Sequence, residues 1–172
     1  MREILFRGKC KETGKWYKGQ YINLHKTTYC FKEDYEADKN NDIHQIVFEH
    51  MTDWGLPNQH LRVDVFPETV GQYTGLTDKN GIRIFEGDII RYTRTNKYAP
   101  DCSFHKQDLV SIHLVLWDSS VSAFVQQHYS LNDKRIVGKG SAVLYDDRAK
   151  ENIVEVIGNI HYNPELLGGA DK

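Results

Sequence analysis

The chain has 172 residues, of which 40% are hydrophobic and 27% are charged, and its formal net charge is −2. This composition is ordinary for a folded protein of one domain, or of one small domain with an elaborated partner. A net charge so near zero excludes a globally basic nucleic-acid-binding protein and a strongly acidic DNA mimic. No apolar run is as long as a signal-peptide core (roughly 7–15 residues) or a membrane span (about 20), so we expect a cytoplasmic protein.

The first strands are predicted near the N-terminus. Apolar and charged residues alternate over 2–9, the segment 13–15 is typical of a turn, and an extended run resumes at Trp16, so a β-hairpin is predicted. Two more short strands are predicted at 21–24 and 28–31. The polar segment 32–42 is interpreted as a surface loop.

The next segment fits a helical stripe. Its apolar residues recur at helical offsets, with a capping residue before them and a glycine after them, which predicts a short helix over 42–52 packed against the core. A strand over 46–48 is the alternative, because that run is apolar and rich in β-branched residues. The stripe consists of Ile43, Ile46, Val47, His50, Met51 and Trp54.

The stretch 62–92 predicts a compact antiparallel meander. A strand at 62–66 ends at a proline, and a second run follows at 70–76. Asn80-Gly81 favours a type I′ turn, in which both central residues have positive φ. A return strand at 82–85 and another strand at 89–92 follow, separated by a turn at 86–88.

The remaining half of the chain predicts further short strands between polar loops. Clean alternation of apolar and polar residues identifies the first of these strands. Loops are predicted at 93–108 and 130–141. The strands are predicted at 110–117, 121–128, 142–145 and 153–160, and one terminal helical turn at 163–167.

Charge is distributed in two opposite blocks. Residues 1–30 hold seven basic and two acidic side chains, and residues 31–70 hold three basic and nine acidic ones. Such blocks can neutralise each other within the fold or across a subunit contact. The basic block also gives a candidate nucleic-acid or partner face, because lysines that alternate with aromatic residues can bind phosphates and stack on bases. A simple solvated face is the alternative. The candidate residues are Lys9, Lys11, Trp16, Tyr17 and Lys18.

Cysteine content and motif spacing predict neither a metal site nor a cofactor. Cys10, Cys30 and Cys102 are an odd number at low density, which favours free thiols over a disulfide framework. Cys102 and His105 form an isolated C-x-x-H pattern, whereas a structural zinc site needs four ligands.

Several motifs follow one another along the chain. They are REILFRGK at 2–9, TGKW at 13–16, PETVGQYTGL at 67–76, DKNG at 78–81, IFEGDII at 84–90, WD at 117–118, VIGNI at 156–160 and NPELL at 163–167. Together they resemble the YopX family. The resemblance implies a mainly β fold whose C-terminal part is a partly open, SH3-like small barrel, a phage or prophage origin, and the cytoplasm of a bacterial host. It implies no enzyme activity and no catalytic residues. Segments 32–62 and 93–109 look longer than in the family.

The carboxylates of the central motif are interpreted as turn-forming groups, because one opens a turn, two flank a turn glycine and one follows a proline. They are Glu68, Asp78, Glu86 and Asp88. No catalytic motif is present, so catalytic residues are not predicted.

We therefore expect an N-terminal β region over 1–62 with an atypical insertion, a barrel region over 63–167 and a frayed tail over 168–172. The favoured function is a non-enzymatic protein-interaction module that acts as a homo-oligomer. A small barrel that binds nucleic acid is the alternative, and a hydrolase of unknown substrate is the second alternative.

Overall fold

The computed structural model describes residues 3–38, 42–94, 109–130, 135–136, 142–143 and 154–167. The mainly β fold is confirmed: within these residues the chain forms twelve strands, one α-helix and two short 3₁₀ turns, and all strand pairs are antiparallel. The chain divides into two compact units, Met1–Gln72 and Tyr73–Lys172, and each is described by itself. The SH3-like barrel remains a prediction.

In the first unit, four strands lie in the order β4-β3-β2-β1, and the first residues of β5 pair with β1. The β1–β2 hairpin is confirmed, with Gly14 at a φ of 67° in its turn. The elements are β1 (Phe6–Lys9), β2 (Trp16–Leu24), α1 (Lys32–Asp38), β3 (Ile43–His50), β4 (Gln59–Asp64) and a 3₁₀ turn at Pro67–Thr69.

The end of β1 comes next to the end of β4, so this sheet is strongly curved. Cys10 and Val65 form an isolated antiparallel bridge, and both side chains are buried. Glycines permit the close approach. A Cβ on Gly8 would lie 3.0 Å from the Val65 side chain, and a Cβ on Gly19 would lie 2.0 Å from the Val47 carbonyl oxygen. The Val65 side chain and the Val47 backbone therefore occupy the space that side chains at these two glycines would need.

Three predictions in this unit were wrong. The segment predicted as a helix over 42–52 instead forms β3, because its backbone pairs with β2 on one side and with β4 on the other. The hydrogen bonds of these two strand pairs stabilise the strand more than the helical spacing of its apolar residues favours a helix. The loop predicted at 32–42 contains α1 over Lys32–Asp38, whose first turn includes two acidic residues that suit a helix N-terminus. The segment 28–31 is not a strand.

In the second unit, β7 and β8 are central strands of a sheet in the order β10-β9-β8-β7-β12, and β11 also pairs with β9. The buried core includes Ile84, Ile90, Val115 and Val154. The strands are β5 (Gly71–Thr77), whose later residues pair with β6 (Arg83–Phe85), then β7 (Asp88–Arg94), β8 (Leu109–Asp118), β9 (Ala123–Ser130), β10 (Arg135–Ile136), β11 (Ala142–Val143) and β12 (Val154–Asn159).

The strands predicted over 62–92 and the C-terminal turn are confirmed, but two details were wrong. The strands do not form one meander, because β6 pairs with β5, β7 pairs with β8 and β12, and among the described residues no pairing joins β6 to β7. The turn type at Asn80-Gly81 was also wrong. Gly81 has a φ of 78°, whereas Asn80 does not have positive φ. The Gly81 N–H donates to the Asp78 carbonyl, and the Asp78 N–H donates to the Ile82 carbonyl. These bonds are typical of a three-residue turn that ends in a left-handed glycine. The 3₁₀ turn Pro164–Leu167 follows β12.

The loop prediction at 93–108 and the tail prediction at 168–172 fall mainly or wholly outside the described residues. The loop prediction at 130–141 was wrong where the structure describes it, because residues 135–136 form β10 and pair with β9. Within the part of the chain that the structure describes, no helix is both long enough and apolar enough to span a membrane.

Candidate functional site

The predicted basic face is divided between the two sides of the β1–β2 hairpin. Lys9 pairs with Trp16, and Arg7 pairs with Lys18. Directly paired residues lie on the same face of a sheet and neighbours along a strand on opposite faces, so these four side chains share one face. Tyr17 lies on the other face.

The aromatic residues of this hairpin have separate roles. The Tyr17 ring packs against Phe48, with 5.1 Å between centroids. The Arg7 guanidinium lies 5.2 Å from the centroid of the Trp16 ring. Trp16 therefore already has a cation–π contact within the chain, and the two aromatic rings form no common stacking surface. Lys11 is exposed in the turn beyond β1.

The opposite charge blocks both lie in the first unit. The Lys11 N–H donates to the Asp64 carbonyl oxygen at 2.9 Å, which brings a residue of the basic block next to one of the acidic block. On the same sheet, the His60 Nε2 lies 3.7 Å from the Glu49 Oε1. Because the basic block and the acidic block lie within one unit, their charges partly offset each other.

The most exposed apolar surface of this unit is the loop between β3 and β4, which the sequence pattern did not indicate. Trp54 is 96% exposed, Met51 is 74% exposed and Leu56 is 61% exposed. The prediction that Met51 and Trp54 pack against the core was wrong. The helical stripe put them beside Ile46, whereas the hairpin carries them past the end of the sheet. Large apolar side chains grouped on a surface are typical of an interaction site.

β4 adds a free strand edge to this surface. The Val65 N–H donates to the His44 carbonyl in β3, and the Asp64 carbonyl accepts from Lys11 on the opposite side. Because successive backbone groups alternate in direction, those of His60 and Arg62 point away from β3. Among the described residues, no backbone group pairs with them on that side. An open edge of this kind is a template for another strand.

In the second unit, the carboxylates of the central motif bind backbone N–H groups. Asp78 accepts from Asn80 at 2.8 Å and from Ile82 at 2.9 Å through Oδ1, and from Val156 at 3.1 Å through Oδ2. The buried Asp88 accepts the Phe85 N–H at 2.7 Å. These bonds hold turns, as the sequence predicts.

The remaining two carboxylates of that motif lie elsewhere. Glu86 accepts the Trp117 N–H at 3.3 Å, and Glu68 is exposed. Within the described ranges, no three histidine, cysteine, aspartate or glutamate side chains are grouped so that they could hold a metal ion.

One histidine in the second unit is strongly perturbed. His113 lies across from His128, with ring centroids 5.2 Å apart, and its Nε2 is 2.8 Å from the Ser111 Oγ. Burial, and secondarily the neighbouring His128, lower the pKa of His113 from 6.5 to about 4. Tyr92 also packs edge-on against this imidazole. At neutral pH the ring is uncharged, so it acts as a structural polar group.

Comparison with known proteins identifies the family. A family model described as YopX protein matches residues 5–168. The fold is similar to the crystal structure of protein EF1440 from Enterococcus faecalis, with 23% sequence identity, a TM-score of 0.47, and coverage of 97% of this chain and 99% of that chain. A search of curated proteins gives no match. Because the family model spans nearly the whole sequence, this chain belongs to the YopX family.

Proposed function

We propose that the protein is a non-enzymatic interaction module that pairs with a second copy of itself through β4 and the β3–β4 loop. The observation that carries the proposal is the 96% exposed Trp54 beside a strand edge without a partner. An apolar side chain of this size loses its contact with water most readily at a protein interface, and a paired edge satisfies backbone groups at the same time.

The outward-facing groups select a register. In a symmetric antiparallel pair, His60 and Arg62 must hydrogen-bond with outward-facing residues of the second copy. A pair centred on Leu61 places His60 opposite Arg62 of the second copy. A pair centred on Arg62 would place two guanidinium groups opposite each other, which is unfavourable.

The Leu61-centred register also matches charge and apolar surface. Glu49 lies 3.7 Å from His60, so Arg62 of the second copy would come next to a carboxylate. The loop of each copy, with Trp54 and Leu56, would lie over the end of β4 in the other, whose edge there already pairs with the end of β1. There, Phe66 is 37% exposed. Both copies contribute the same groups, as a twofold interface requires.

Light scattering after size-exclusion chromatography tests the proposal. The chain has a mass of 20.0 kDa, so we expect a dimer of about 40 kDa at high protein concentration. Trp54→Ser should give a monomer without loss of the fold. A monomer for the native protein at every concentration and salt condition overturns the proposal.

A matched pair of variants tests the strand edge itself. Arg62→Pro removes one outward N–H but leaves the ladder to β3 intact, whereas Arg62→Ala keeps that N–H. We expect Arg62→Pro to be monomeric and Arg62→Ala to dimerise. Glu49→Arg should weaken the dimer, and Arg62→Glu added to it should restore association. Equal behaviour of the proline and alanine variants contradicts pairing through this edge.

We further propose the setting that the family resemblance implies, an accessory role for a phage or prophage in the cytoplasm of a bacterial host. The neighbouring genes test this setting, and a locus without phage genes counts against it. The nucleic-acid and hydrolase alternatives have less support. Only Lys9, Trp16 and Lys18 of the five candidate residues share a face of the hairpin, and the described carboxylates Asp78 and Asp88 bind backbone.

A further inference from the structure

The segment that follows β2 forms an open cleft of about 660 Å³. Four of its lining residues carry aromatic rings: His25, Tyr29, Phe31 and Tyr35. The cleft has the volume of a small-molecule site. It lies within the segment 25–35 and uses none of the residues of the proposed dimer surface.

The rings of the cleft stand at steep angles to one another. His25 and Tyr35 pack edge-to-face at 5.0 Å between centroids and 82° between planes. Tyr29 and Tyr35 lie 5.9 Å apart at 64°. Because each pair is close to perpendicular, the rings present walls in different directions instead of one flat stack. A corner of this kind can contact a compact group from more than one side.

Two carboxylates hold these rings from outside the cleft. The His25 Nδ1 and the Asp42 Oδ1 are 2.7 Å apart, and the Tyr29 hydroxyl donates to Asp38. A hydroxyl that donates to a carboxylate makes its ring richer in electrons. The negative face of such a ring attracts cations more strongly.

The surroundings of the cleft are acidic. Residues 25–38 contain four acidic side chains and two lysines, and Lys32 lies 3.9 Å from Glu36 in an i,i+4 ion pair. The hydrogen bond to Asp38, then partial burial and the charges of Asp38, Asp42 and Asp34, raise the pKa of Tyr29 to about 12. Lys26 and Lys32 also line the cleft, but the acidic side chains of the segment outnumber them, so its net charge is negative.

We propose that this cleft binds a weakly hydrated organic cation, an alkylated ammonium or a guanidinium group. Such a cation gains from aromatic faces and loses little hydration on entry. A hard metal ion fits poorly, because it requires several free oxygen ligands. Asp38 and Asp42 already hold Tyr29 and His25.

NMR titration of the full chain tests the site with two cations and a neutral control. Tetramethylammonium chloride and guanidinium chloride are added separately, and tert-butanol serves as the neutral molecule of similar size. We expect saturable shifts of the His25 and Tyr35 ring signals with at least one cation, at a Kd on the order of millimolar, and no saturable shift with tert-butanol. The two cations distinguish an alkylammonium site from a guanidinium site.

Variants test whether the aromatic rings bind the cation, separately from any effect on folding. Tyr35→Leu should weaken cation binding at least tenfold, and Tyr29→Phe should weaken it several-fold, because it removes the hydrogen bond to Asp38. Tyr162→Leu, at an exposed position in the second unit, is the control and should leave binding unchanged. Unchanged signals elsewhere show that the variants fold. Equal shifts with tert-butanol, no shift with either cation, or full binding by folded Tyr35→Leu overturns the proposal.

Discussion

Replacement of Asp78 by alanine tests the interpretation of the central motif as a scaffold. Its carboxylate accepts three backbone N–H groups, from Asn80 and Ile82 within its own turn and from Val156 in β12. The residue is 5% exposed. The variant therefore disrupts both the local turn and a link between segments that are far apart in sequence.

The expected loss follows from these three bonds. A hydrogen bond to a charged group contributes about 1.5–3 kcal/mol, but water can replace part of the loss once the side chain is shortened. We expect a decrease of about 3 kcal/mol in the free energy of unfolding. For a chain of this length, that corresponds to a fall in Tm of roughly 6–12 °C. Asp78→Asn should lose about half as much, because its remaining oxygen can still accept the bonds within the turn.

Urea titration followed by circular dichroism and tryptophan fluorescence measures the loss. Glu12→Ala is the control, since Glu12 is an exposed carboxylate in the β1–β2 turn, and it should change stability by less than about 0.5 kcal/mol. A loss below about 1 kcal/mol for Asp78→Ala would refute a scaffold role for this carboxylate.

Two further predictions concern close packing and pH. Gly19→Ala should destabilise the fold by about 3 kcal/mol in urea titration, because the added Cβ would lie 2.0 Å from the Val47 carbonyl oxygen. The neighbouring variant Lys18→Ala is the control and should have little effect. Equal stabilities of the two variants would contradict the observed approach of β2 and β3. His113 has a lowered pKa in the folded state, so between pH 6.5 and about 4 the unfolded chain binds a proton that the folded chain does not. The free energy of unfolding should therefore fall by about 1–3 kcal/mol as the pH decreases through this range. Unfolding curves of His113→Leu should show a smaller decrease over the same range. An unchanged pH dependence in that variant would assign the effect to other groups.

Features decided by neighbours in sequence were predicted well. The hairpin turn at Gly14, the β5–β6 hairpin around Asp78 and Gly81, and the alternation that became β8 all depend on residues a few positions apart. Turn glycines and aspartates form these structures through their own backbone freedom and their own hydrogen bonds, so the pattern is visible without the rest of the chain. The family motifs were also complete in the sequence.

The tertiary structure determined whether the segment around Ile46 formed a helix or a strand, and which side chains came into contact. The apolar spacing around Ile46 suits a helix or a strand, and the ladders to β2 and β4 selected the strand. That choice exposed Trp54 and created the free edge beside it. The pairing register placed Tyr17 on the opposite face from Trp16. Backbone hydrogen bonds between distant segments depend on partners that no local window contains, so these features became visible only in the folded chain.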